Sequence, residues 1–141
     1  METFTSNGFT IEFNTNPESR DEVLHALQNA VNRGLKAIGE QAVGYAQELC
    51  PVDTGNLRGS ITYAVEGDDC YIGTNVEYAP YIEFGTGVYA ETGGRQTPWV
   101  YQKGDNYYMT NGIKPHPFLR PSASNHADEY RNILKDSLEN A

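Results

Sequence analysis

The sequence predicts an α+β fold: an antiparallel sheet packed by one long N-terminal helix and a shorter C-terminal helix. Three observations carry this expectation. Apolar residues recur at steps of three and four over residues 20–49, short segments flank Gly-Asp turns, and the helical period returns over a shorter C-terminal span.

Taken in order, Phe4 to Phe13 ends in an alternation of apolar and polar residues (Phe9, Ile11, Phe13), the mark of a strand with one buried face. Asn14 to Pro17 breaks it, and Ser19 followed by Glu22 has the form of a capping box. In the long helix Leu24, Leu27, Val31, Leu35, Ile38, Ala42, Tyr45 and Leu49 fall on one stripe. It would be about 45 Å long. Gly34, Gly39 and Gly44 inside it suggest a bend or close backbone approach, and Pro51 after Cys50 ends it.

Ser60 to Glu66 and Cys70 to Thr74 flank Gly67-Asp68-Asp69, a hairpin signal. Tyr78 to Phe84 reads as a short helix with Pro80 in its first turn and Gly85 closing it. Residues 85–98, rich in Gly and Thr without a period, read as a mobile loop. Trp99 to Gln102 and Asn106 to Thr110 flank Lys103-Gly104-Asp105 as a second hairpin. Beyond the extended Lys114 to Pro121, the stretch Ser122 to Glu139 reads as one helix, with Tyr130, Ile133, Leu134 and Leu138 at helical spacing. At 141 residues and 15.7 kDa, the chain is expected to form a single domain over 1–141.

Ten Lys plus Arg against 19 Asp plus Glu give a net charge of −9 and a pI near 4.6, opposite to the basic surface that grips a phosphate backbone. No apolar run approaches a membrane span, and the opening METFTSNGFT has neither a basic nor an apolar signal region. Synthesis in the cytosol, with no membrane partner, is therefore expected. Cys50 and Cys70 lack both a disulfide framework and zinc spacing, and read as two reduced thiols.

Asp53-Thr54-Gly55 is the tripeptide of retroviral-type aspartic proteases, in which two such carboxylates from two subunits share a proton. Here a helix rather than an apolar strand leads into it, which favours ordinary turn or capping chemistry for Asp53 with Gly55 supplying permissive dihedrals. His25, His116 and His126 show no metal-helix spacing, and the Gly-rich stretches lack the context of a phosphate loop. No catalytic residue, cofactor site or metal site is assigned. Aromatic loading stands out instead: 10 Tyr, five Phe and one Trp, concentrated in the middle of the chain. Rings with polar tips are enriched where proteins meet proteins, so Tyr89, Trp99, Tyr101, Tyr107 and Tyr108 are candidate interface residues.

Three segments taken together resemble one family. They are Pro51-Val52-Asp53-Thr54-Gly55-Asn56-Leu57-Arg58-Gly59-Ser60-Ile61, Tyr78-Ala79-Pro80-Tyr81-Ile82-Glu83-Phe84-Gly85-Thr86 and Pro115-His116-Pro117-Phe118-Leu119-Arg120-Pro121. In this order, after a long amphipathic helix and before a closing one, they are similar to the tail-completion (minor tail, head–tail joining) proteins of long-tailed bacteriophages, typified by the gene-ten product of a lambda-like coliphage.

The resemblance implies a non-enzymatic virion component assembled in the host cytoplasm. It would act at the neck as a ring of copies, touching connector or stopper proteins and the tail tube or tail terminator. DNA would pass without specific binding, eased by the negative charge. Within the three segments, Asp53, Thr54, Gly55 and Leu57 are expected to fix the turn after the long helix. Tyr78, Pro80, Tyr81, Phe84 and Gly85 would anchor and close the short helix, and Pro117, Phe118 and Pro121 would brace the last one. Two rivals are a homodimeric aspartic protease using Asp53 and a cytosolic module whose aromatic hairpin takes a peptide by strand addition.

Overall fold

A computed structural model describes residues 2–14, 16–51, 55–91, 94, 99–110 and 112–141, with the backbone alone for Gly55 and 101–103. The chain runs β1 (Glu2–Ser6), β2 (Phe9–Phe13), α1 (Arg20–Leu49), α2 (Gly55–Ser60), β3 (Thr62–Glu66), β4 (Asp69–Gly73), α3 (Ala79–Phe84), a 3-10 turn (Gly87–Tyr89), β5 (Trp99–Lys103), β6 (Asn106–Thr110), α4 (Leu119–Ser124) and α5 (Ala127–Glu139). This is the expected mixture of helices and antiparallel strands, but among the described residues the strands form three two-stranded sheets, each a pair of consecutive strands, rather than one. Backbone contacts group the chain into two compact units: Met1–Gly44, Thr62–Ile72 and Ala123–Ala141 in the first, Tyr45–Ile61 and Gly73–Ser122 in the second.

The first unit is organised by α1. Leu27, Ala30, Val31 and Leu35 are buried together with Leu134 and Leu138 of α5, and Phe4, Phe9, Ile11 and Phe13 of β1 and β2 pack against them. Gly34 lets α5 come close: a Cβ there would lie 2.8 Å from Leu134 Cδ1 and 3.2 Å from Ser137 Cβ. At the same crossing Ser137 Oγ donates to the Ala30 carbonyl at 2.5 Å. The stretch Phe4 to Phe13, expected as a single strand, is a hairpin turning at Asn7-Gly8, whose φ values of +52° and +82° suit the two-residue turn that an Asn-Gly pair favours. Its register puts Phe4, Ile11, Phe9 and Phe13 on one face and Thr3, Thr5, Thr10 and Glu12 on the other.

Three further differences have local causes. Along α1 the buried line continues through Ala42, Ala46 and Cys50, so Leu49 falls off it and is exposed. Where a turn through Gly55 and Leu57 and a strand from Ser60 were expected, α2 runs over Gly55–Ser60 and fully buries Leu57, and β3 begins only at Thr62. The helix expected over Ser122 to Glu139 is two helices. Pro121 sits in the first turn of α4, where a missing N–H costs nothing, and the chain leaves the helical conformation at His126 (φ −124°, ψ 25°) before α5 begins.

Candidate functional site

The second unit contains all three signature segments, and two of them meet around α3. α3 starts where Tyr78 carbonyl oxygen accepts from the N–H groups of Tyr81 (3.1 Å) and Ile82 (3.3 Å). Pro80 sits within the first turn, where its missing N–H is tolerated. The helix stops at Gly85, whose N–H donates to Tyr81 and whose φ of +80° is open to glycine. A Cβ on Gly85 would also stand 2.8 Å from the Ile113 carbonyl oxygen and 2.9 Å from Pro115 Cδ. The extended 112–118 segment lies that close because Thr86 N–H donates to Ile113 carbonyl (2.9 Å), Ile113 N–H to Thr86 Oγ1 (2.8 Å) and His116 N–H to Ile82 carbonyl (2.8 Å).

One buried carboxylate locks this arrangement. Glu83, 3% exposed, accepts backbone N–H bonds from Phe118 (3.0 Å), Leu119 (2.8 Å) and Arg120 (3.3 Å), and Arg120 Nε donates to it at 2.7 Å. The outer edge of the same guanidinium donates to Glu91 through both terminal nitrogens, at 2.9 and 3.1 Å, and the group lies 4.6 Å from the Phe84 ring centre. Burial alone would raise the Glu83 pKa, yet the Arg120 guanidinium and the three backbone N–H donors outweigh it and hold the carboxyl below its ordinary value. Hydrogen bonds to Glu91 and Glu83 raise the Arg120 pKa in turn. With its lone pairs taken, Glu83 is a structural clasp rather than a base waiting for a proton.

On α3 an open cleft of about 570 Å³ is lined by Tyr78, Tyr81, Ile82, Thr86, Gly87, Trp99, Thr110 and Ile113. Its walls are mainly rings and aliphatic groups, so it suits apolar side chains. Around it Tyr78, Tyr81, Phe84 and Tyr89 are 39, 57, 38 and 40% exposed, and Tyr107 and Tyr108 on β6 are 69 and 44% exposed. The rings expected to anchor α3 thus face outward, and within α3 the buried residues are Ala79 and Glu83. Pro80 is exposed too, Pro117 and Pro121 are half-buried, and Phe118 is fully buried immediately before α4.

Asp53 and Thr54 lie outside the described residues, and Gly55 opens α2. Tyr101 is placed by its backbone in β5, opposite Tyr108. Of the loop expected over 85–98, Gly87–Tyr89 forms a 3-10 turn, and residues 92, 93 and 95–98 lie outside the described residues. Among the described residues no cluster of His, Cys, Asp and Glu could hold a metal, and no helix is long and apolar enough to cross a membrane. Sequence reasoning passed over Glu83, Arg120 and Glu91. The available signal was an acid in one signature segment and an Arg between prolines in another.

Residues 18–85 match the HK97-gp10-like family model, described as "Bacteriophage HK97-gp10, putative tail-component". The match spans the long helix and the first signature segment and ends at Gly85 in the second, so the resemblance drawn from those residues stands over this part of the chain. No curated protein and no solved structure matches the chain.

Proposed function

We propose that this chain is a structural protein of a tailed bacteriophage that joins or completes the tail at the head–tail connector, working as a ring of copies and as a single functional domain over 1–141. The observation that carries this reading is the match of residues 18–85 to a phage tail-component family. The second unit supports it physically. A clasp of charge-assisted bonds gives a rigid body, while rings are turned outward beside an apolar cleft, the chemistry of adhesion.

The partners are connector or stopper proteins on one side and the tail tube or tail terminator on the other. The net charge of −9 lets duplex DNA pass such a ring without sticking, because nonspecific affinity for DNA needs clustered Lys and Arg. The segment around Asp53 and Leu57, the short helix around Tyr81 and the Phe118 segment then serve as scaffold first and contact surface second. The test is an amber codon in this gene within the phage that encodes it. In a non-suppressing host, electron microscopy is expected to show DNA-filled heads and separate tails; intact infectious particles would overturn the reading.

A further inference from the structure

We propose that the β5–β6 hairpin and the cleft beside it are the two halves of one head-to-tail contact between copies of this chain, the outer face of one hairpin seating Val100, Tyr107 and Met109 in the cleft of the next copy. The inference rests on the oligomeric reading above and says which surface makes the ring.

The strand register supplies the geometry. Trp99 pairs with Thr110, and both line the cleft, so that face of the hairpin forms its wall. The next pair along, Val100 with Met109, points to the opposite face, as does Tyr107 opposite Gln102. There Val100, Tyr107 and Met109 are 57, 69 and 73% exposed, more open than an apolar strand face should be in a finished structure. A two-stranded hairpin is marginal in water until a further layer covers it. The cleft has room for two or three such side chains, and its lining of Tyr78, Tyr81 and Ile113 matches them in polarity.

Area and charge favour a second copy as the occupant. Val100, Tyr107 and Met109 of one copy and Tyr81, Tyr108 and Ile113 of the next present on the order of 800 Å² of accessible surface together, too little to hold a foreign partner firmly but repeated at every joint when copies close a ring. Copies that each carry −9 repel, so they can meet only where charge is sparse, and this face offers apolar groups instead of carboxylates. Because projecting face and receiving cleft are opposite sides of one hairpin, the contact cannot be two-fold. It propagates in one direction and closes into a ring where the rotation permits.

Sedimentation velocity of the full chain tests this. The wild type is expected to assemble beyond a dimer, more so as salt screens the repulsion. Met109→Asp spoils the projecting face and Tyr81→Asp the cleft, so each alone should weaken self-association about thirtyfold or more. An equimolar mixture of the two should form one-to-one dimers and nothing larger, since each supplies the half the other lacks. Should Met109→Asp melt early, Tyr107→Ser carries the same test with less disturbance. Variants that assemble like the wild type would overturn the surface while leaving a ring built elsewhere. A wild type that stays monomeric at every concentration and salt would overturn the second copy as occupant, with the amber phenotype still deciding the role in the tail.

Discussion

The two units solve the same problem with different chemistry. The first holds together by apolar burial: Leu27, Val31 and Leu35 of α1 meet Leu134 and Leu138 of α5 under the rings of the first hairpin. In the second, Leu57 and Phe118 are fully buried, but the joint between its signature segments is polar, made by Glu83, Arg120 and a ladder of backbone bonds from Ile82 to His116. The rings of Tyr78, Tyr81, Tyr107 and Tyr108 stay outside. Hydrogen bonds and an ion pair, buried on its Glu83 side alone, hold the segments in register without consuming apolar surface. A unit built that way keeps several tyrosines available for a partner, whereas the first packs Phe4, Phe9 and Phe13 against its own core.

Breaking each joint separately tests the comparison. The largest loss is expected for Glu83→Ala, which takes the acceptor from one buried and two partly buried N–H groups, the Arg120 guanidinium keeping Glu91, and should cost about 3 kcal/mol or slightly more in urea unfolding. Leu134→Ala should cost about 3 kcal/mol through the cavity it opens beneath α1. Amide hydrogen exchange separates them: the first change should loosen residues 78–86 and 115–121, the second α1 and α5. Identical exchange patterns would mean that the two units do not differ as described. The clasp is also sensitive to acid. The Glu83 pKa is lowered in the folded chain, so its contribution is complete above the unfolded carboxylate value of about 4.3 and fades as pH falls through the lower, folded value. The stability gap between wild type and Glu83→Gln should narrow over that interval; a gap independent of pH would show that the carboxylate charge is not what the clasp uses.

The same contrast governs what the sequence revealed. Apolar order leaves a period, so the stripe of α1 and the Leu134–Leu138 spacing were readable, and the Gly67-Asp68 and Gly104-Asp105 turns marked two hairpins. Asn7-Gly8 was an equally good turn signal, overlooked because the alternation was read on one side of it only. Six residues of α2 with a single leucine are too few to show a helical period. The clasp left none at all. Glu83 and Arg120 are 37 residues apart, and nothing local distinguishes a carboxylate that will be buried from one that will face water. The split at His126 was hidden for a similar reason, since Asn125 and His126 are polar residues without the break signal of Gly or Pro.

Smaller effects sharpen the contrast at single backbone positions. Gly85→Ala places a side chain at φ +80°, 2.8 Å from a carbonyl oxygen held by the ladder, and should cost about 1–3 kcal/mol from backbone strain alone, seen as a lowered melting temperature. A neutral result would mean that the 112–118 segment yields easily and that the polar joint is soft.

The smallest expected change has the opposite sign. Gly44 lies in the body of α1, and a Cβ there would meet nothing within 4 Å, whereas at Gly34 it would press on Leu134 and Ser137. Glycine in a helix interior costs about 1 kcal/mol relative to alanine. Gly44→Ala should therefore raise the melting temperature by a few degrees, while Gly34→Ala should lower it as the α1–α5 contact is forced apart. If Gly44→Ala lowered it instead, a side chain at that position must meet something, against the open space around it. If Gly34→Ala were harmless, Leu134 could turn aside, and the close approach of the two helices would not be what orders the apolar unit.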